Sequence, residues 1–162
     1  MMKKTLSAGL LSLAALAPLA AHAADPLVRF DGGIGEQAAG FIAATGAFRV
    51  NQVNGVNPGG FPWVISRLNA DVGTDGSISV DGRGLLLAGG NGVGTNGNQT
   101  VHARLFCAGV AAGDSDAVAL DARGDFRIMG MLNQTPPNPC NAPVLLIVNA
   151  GGAWFAAGIP KQ

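Results

Sequence analysis

Glycine and proline punctuate this chain so densely, 25 and 9 times in 162 residues, that long helices are disfavoured. Both residues suit tight turns, so many short strands are the natural solution. The stretches between them carry the matching pattern. From Trp63 to Val72, the residues Val64, Leu68, Ala70 and Val72 share one face by a period of two. Thr74-Asp75-Gly76 then predicts a hairpin turn, because Asp-Gly tolerates positive φ. Beyond it Ile78 and Val80 alternate with Ser77, Ser79 and Asp81. Val101, Ala103, Leu105 and Cys107 line one face of a further strand, which leaves His102 and Arg104 outward.

Other segments are read the same way. Leu27 to Phe30 is a short first strand, and Ala47 to Val53 alternates with Phe48 and Val50 on one side. Ile34 to Ala44 suits one or two helical turns. Leu85 to Ala88 and Val144 to Val148 are apolar on both faces and are expected as central strands. Ala117–Leu120 and Phe126–Leu132 predict a second hairpin around Ala122-Arg123-Gly124. Trp154 to Ile159 is the last strand. The pattern Val72-Gly76-Ile78-Val80-Gly82 returns as Leu120-Gly124-Phe126-Ile128-Gly130. Two such units would supply two layers, although hairpins in general share this pattern. The expected fold is one antiparallel β-sandwich, or a partly open barrel, of about eight or nine strands over residues 24–162.

Residues 1–23 read as a cleaved signal peptide. Lys3 and Lys4 precede an apolar run from Leu6 to Ala21, and Ala21-His22-Ala23 is the small-x-small pattern of a cleavage site. The run is broken by Pro18 and falls short of the ~20 residues of a spanning helix. No later segment is a candidate span, so the expected destination is periplasmic or extracellular. An outer-membrane barrel would need aromatic girdles, but there is no Tyr, and the two Trp are Trp63 and Trp154.

Charged residues make up 12% of the chain, against a typical ~25%, while 48% is hydrophobic, which excludes a disordered polar chain. Once Lys3 and Lys4 are set aside, the remainder is mildly acidic. No basic field exists for nucleic acid.

Several motifs invite chemistry and lack a necessary part. Gly92-Val93-Gly94-Thr95-Asn96-Gly97 has dinucleotide-loop spacing, but a strand rather than a helix is expected behind it. Asp71 to Ile78 resembles part of a calcium loop, yet Gly73 and Gly82 stand where ligands belong. Gly113-Asp114-Ser115 looks like an esterase nucleophile block without a downstream His partner. Asp114 and Asp116 form a candidate acid–base pair for hydrolysis, against the commoner case of solvated loop carboxylates. Met129 and Met131 share a strand face and could hold Cu(I) with His102 or Cys107. Methionine as filler under a second layer is the commoner use. A zinc site fails on ligand count, with His102 the one histidine after residue 23. Asn98-Gln99-Thr100 and Asn133-Gln134-Thr135 fit the glycosylation pattern and mark loops, with no modification expected from a bacterial-type signal.

Cys107 and Cys140 are the two cysteines, both beyond the signal, and an oxidising compartment predicts a disulfide between them. It would tie the Pro139-Cys140-Asn141 segment to the end of the Cys107 strand. The Cys-x-x-Cys spacing of a redox pair is absent.

The stretches Pro62-Trp63-Val64-Ile65, Asp81 to Gly90, Pro143 to Val148 and Trp154 to Ile159 resemble a family of small exported bacterial proteins of unknown function. The resemblance covers most of residues 24–162 and carries no functional residue with it. The two Gly-centred hairpins are also similar to the chordin-type (CHRD) β-sandwich, whose His-containing strand would fall at Val101 to Leu105. A superficial likeness to the copper/zinc superoxide dismutase sandwich fails for lack of histidines. The expected function is an exported, non-catalytic envelope or extracellular β module, without catalytic, cofactor or metal residues. The alternative is a small exported hydrolase or copper-handling protein using His102, Asp114, Asp116, Met129 and Met131. The loops Gly89–Asn98 and Thr135–Pro143 are the expected binding surfaces.

Overall fold

The computed structural model describes residues 24–37 and 40–161; the expected signal segment lies outside them. The described residues contain no helix. Their strands are β1 (Pro26–Gly35), β2 (Gly40–Ile42), β3 (Phe48–Val50), β4 (Trp63–Val64), β5 (Arg67–Gly73), β6 (Ser77–Arg83), β7 (Leu86–Leu87), β8 (Thr100–Cys107), β9 (Val110–Asp114), β10 (Val118–Ala119), β11 (Phe126–Met131), β12 (Val144–Asn149) and β13 (Trp154–Pro160). Nine of them form one antiparallel sheet in the order β10-β8-β12-β13-β1-β5-β6-β11. The ninth, β9, extends the β10 lane by pairing with the far end of β8.

The sheet curls until its two edges meet. The side chains of Phe30, Leu68, Val80, Leu105, Ile128 and Ile147, drawn from across it, belong to one buried core. Chain length requires this curl. Laid flat, β10 and β11 would be seven inter-strand steps, roughly 34 Å, apart. The six residues between Ala119 and Phe126 reach only about 24 Å. A seam closes the gap. Asn133 N–H donates to the Asp114 carbonyl at 2.8 Å, and Asp114 N–H donates to Asn133 Oδ1 at 2.9 Å. The fold is therefore an all-β, partly open barrel.

The β5–β6 hairpin turns at Asp75-Gly76, with Gly76 at φ 88° and Asp75 Oδ1 accepting from Ser77 N–H at 2.8 Å. The second expected hairpin is corrected. Its turn forms, since Gly124 N–H donates to the Asp121 carbonyl at 2.9 Å, but its arms part. β10 pairs with β8, whereas β11 pairs with β6. Phe126 decides this, because its ring occupies the space a Cβ at Gly82 would take. The two repeat units thus lie side by side in one sheet, not in two layers.

Val144–Val148 is central as expected, between β8 and β13. Leu145 and Ile147 face the barrel core. Leu146 and Val148 face outward and are covered by Val53, Val56 and Trp154. Trp154 Nε1–H holds that cover by donating to the Asn51 carbonyl at 2.9 Å.

Three further expectations are corrected. Leu85–Ala88 is not a central strand: β7 pairs only with β4, as a short ribbon that lays Leu85 and Trp63 on the core. Ile34 to Ala44 makes no helical turn among its described residues, because Ile34 and Gly35 pair with Ala157 and Ala156 of β13. Val64 does not share the buried face of Leu68, Ala70 and Val72; it is exposed in β4.

Candidate functional site

The inward set on β8 is buried, which turns His102 and Arg104 outward. Asp114 lies opposite Arg104 in the β8–β9 register. The guanidinium donates through Nε and Nη2 to the two Asp114 oxygens at 2.7 and 2.8 Å. This fork holds the Asp114 carboxyl below its ordinary range. Burial lowers the His102 pKa, opposed by the nearby Asp114 charge. Asp116 is exposed, so Asp114 and Asp116 stand in unlike settings, one bound to a guanidinium and one in solvent. Ser115 Oγ accepts from Ala103 N–H and donates to the Asp116 carbonyl, each at 2.9 Å. That hydroxyl ties β8 to the segment after β9 and has no basic partner.

The Arg104–Asp114 pair is only partly exposed, with side-chain exposures of 27% and 30%. A double-mutant cycle of Arg104→Ala and Asp114→Ala is expected to give about 1 kcal/mol of coupling in urea unfolding. A coupling near zero would show that the fork adds nothing to the barrel.

Met129 and Met131 correct the filler expectation. They are 69% and 53% exposed on the outer face of β11, opposite Ser79 and Ser77. Met129 borders a groove of about 520 Å³ with Ala24, Arg29, Asp71 and Ile78. Cys107 is bonded to Cys140, with Cα atoms 5.0 Å apart, so it offers no thiolate. Of the calcium-like segment, Asp71 pairs with Arg29 and Asp75 caps its own turn. The described residues contain no cluster of three or more His, Cys, Asp or Glu able to hold a metal ion.

The glycine-rich loop is ordered by its neighbours. Gly94 N–H donates to the Leu87 carbonyl at 2.8 Å, and Asn96 Nδ2 donates to the Asp121 carbonyl at 2.8 Å. It leads into strand β8, so no helix N-terminus stands ready for a pyrophosphate. Beside it Phe61, Trp63, Gly97, Gln99, Asn149 and Phe155 line a groove of about 260 Å³. Trp63 stacks on Phe155 with centroids 4.0 Å apart, and Asn149 Nδ2 donates to Gln99 Oε1 at 3.1 Å. No charged side chain lines this groove. Of the Gly89–Asn98 loop it takes in only Gly97; a shallower hollow of about 450 Å³ is lined by Gly94 to Asn98 with Ala122.

Two further features lie outside the candidate residues read from the sequence. Glu36 is fully buried, and neither carboxyl oxygen has a hydrogen-bond partner. Its main chain is clamped between strands, with N–H donating to the Phe155 carbonyl at 2.8 Å and its carbonyl accepting from Trp63 N–H at 2.6 Å. Burial pushes its pKa up to about 7. The second feature is the β2–β3 ribbon, whose large apolar side chains are exposed. The fold and its surface define a disulfide-bonded, partly open β-barrel. No family model, curated protein or solved structure matches the chain.

Proposed function

We propose that this protein is an exported, non-catalytic cell-envelope or extracellular β module, which binds through the loops around Gly89–Asn98. The observation that carries this reading is where the reactive side chains are spent. Asp114 is held by Arg104, Ser115 by the β8 main chain, and Cys107 by Cys140. The groove beside the Gly89–Asn98 loop is neutral and part aromatic, as suits recognition rather than proton transfer. The disulfide favours an oxidising compartment.

Expression of the full chain in a bacterium with fractionation tests the reading. The expected product is periplasmic, begins at Ala24, contains no free thiol and carries no metal. A cytoplasmic product retaining residues 1–23, or stoichiometric copper or zinc, would overturn it. Replacing Gly89–Asn98 by a short Gly-Ser linker is expected to leave the far-UV spectrum unchanged and to abolish binding of an identified ligand. Full retention of that binding would remove the loop from the proposal.

A further inference from the structure

We propose that the β2–β3 ribbon is a shallow membrane-surface anchor whose partner is a lipid bilayer. The two strands pair only with each other, through Gly40↔Val50, Phe41↔Arg49 and Ile42↔Phe48. Residues opposite each other share a face, so Ile42, Phe48 and Val50 lie on one side and Phe41 with Arg49 on the other. Phe41 is 53% exposed, Ile42 67%, Phe48 66% and Val50 45%. Single exposed apolar residues are ordinary, but four on one short ribbon are not. Between Gly40 and Val50 the sole charged residue is Arg49, and the tip is Ala43-Ala44-Thr45-Gly46-Ala47.

The arrangement favours a bilayer over a protein partner on two grounds. Exposed apolar side chains stand on both faces of the ribbon, Ile42, Phe48 and Val50 on one and Phe41 beside Arg49 on the other, whereas a docked protein or second copy covers one. The area is also small. Large side chains carry on the order of 150–250 Å² each, so four half-exposed ones offer on the order of 400 Å², divided between two faces. A stable dimer needs about 800 Å² per partner. A bilayer closes around both faces and needs no matching surface.

The tip suits that medium. Ala43 N–H donates to the Ala47 carbonyl and Gly46 N–H to the Ala43 carbonyl, each at 2.8 Å, so these amides enter the interface already paired. Arg49, across from Phe41, stands where a guanidinium would meet lipid phosphates. The ribbon is far too short to span, so insertion stops at the headgroup and upper acyl level.

Co-sedimentation of the exported, disulfide-bonded protein with phosphatidylcholine vesicles, with and without phosphatidylglycerol, tests this without reference to the loop groove. Binding to both vesicle types is expected, stronger with phosphatidylglycerol. Phe41→Ser and Ile42→Ser should each weaken it roughly tenfold. Arg49→Gln should remove only the preference for anionic lipid. Val110→Ser, at an equally exposed site outside the ribbon, should change nothing. Absence of binding to either vesicle type would overturn the proposal, as would unchanged binding by both ribbon variants. So would a concentration-dependent dimer that Ile42→Ser dissociates, which would make the ribbon a protein interface instead.

Discussion

Cys107→Ala combined with Cys140→Ala is expected to lower the unfolding free energy by about 3–4 kcal/mol. The bridge spans a sequence separation of 33, and closing such a loop in the unfolded chain accounts for that figure in the chain-entropy model. Folded-state contacts act in the same direction, because Cys107 is buried in the barrel core and Cys140 packs against it. Ala108 N–H also bonds to the Asn141 carbonyl, so the bridge and the main chain fasten the same two segments. A small domain has only about 5–15 kcal/mol in total, so the loss is a large fraction of its stability. The melting temperature should fall by roughly 10–20 °C. Urea unfolding of the wild type and double variant measures the difference. A loss under about 1 kcal/mol would show that the loop is held by its other contacts.

The second large effect belongs to Glu36. Its pKa rises from the ordinary 4.5 to about 7 in the folded state, with burial as the cause. No titratable group faces it from the elements that clamp its main chain: β4 offers Trp63 and Val64, and β13 offers Trp154, Phe155 and Ala156. Between pH 4.5 and 7 the unfolded chain has released this proton while the folded chain keeps it. Stability therefore falls as pH rises through that window and levels off above it. The gap corresponds to about 3 kcal/mol. Glu36→Gln keeps the shape and removes the titration, so it should match wild type near pH 4 and exceed it by about 2–3 kcal/mol near pH 8. His102 contributes the opposite slope, since its lowered pKa costs stability as pH falls below 6.5. The difference between variant and wild type isolates Glu36. Parallel pH profiles for the two proteins would refute the assignment.

What was legible in the sequence was what is local. The β5–β6 hairpin needs only alternation and one Asp-Gly turn, and both lie within 16 residues of each other. The buried face of β8 and the two-sided burial of β12 follow from side-chain period alone. The pairing of β11 could not be read this way. Its choice of β6 rests on Phe126 filling the space over Gly82, a fit between residues far apart in the chain. Leu85–Ala88 misled for a related reason. An apolar run marks burial, but Leu85 is buried against the barrel core beside the two-residue β4–β7 ribbon, not within the main sheet. Among the candidate site residues, outward placement of His102 and Arg104 was legible, while the Arg104–Asp114 fork depends on a β9 register that composition does not reveal. Glu36 was invisible, because a carboxylate in a Gly- and Ala-rich stretch reads as solvated.

The position of β13 has a bearing on when this chain can fold. The last strand lies between β12 and the first strand, β1, in the middle of the sheet. Without β13, the β1-β5-β6-β11 strands and the β10-β8-β12 strands are joined only through the seam, and β1 and β12 each keep an unpaired edge. The β1–β13 pairing that closes these edges joins residues more than 120 apart in sequence, a non-local contact of the kind that slows folding.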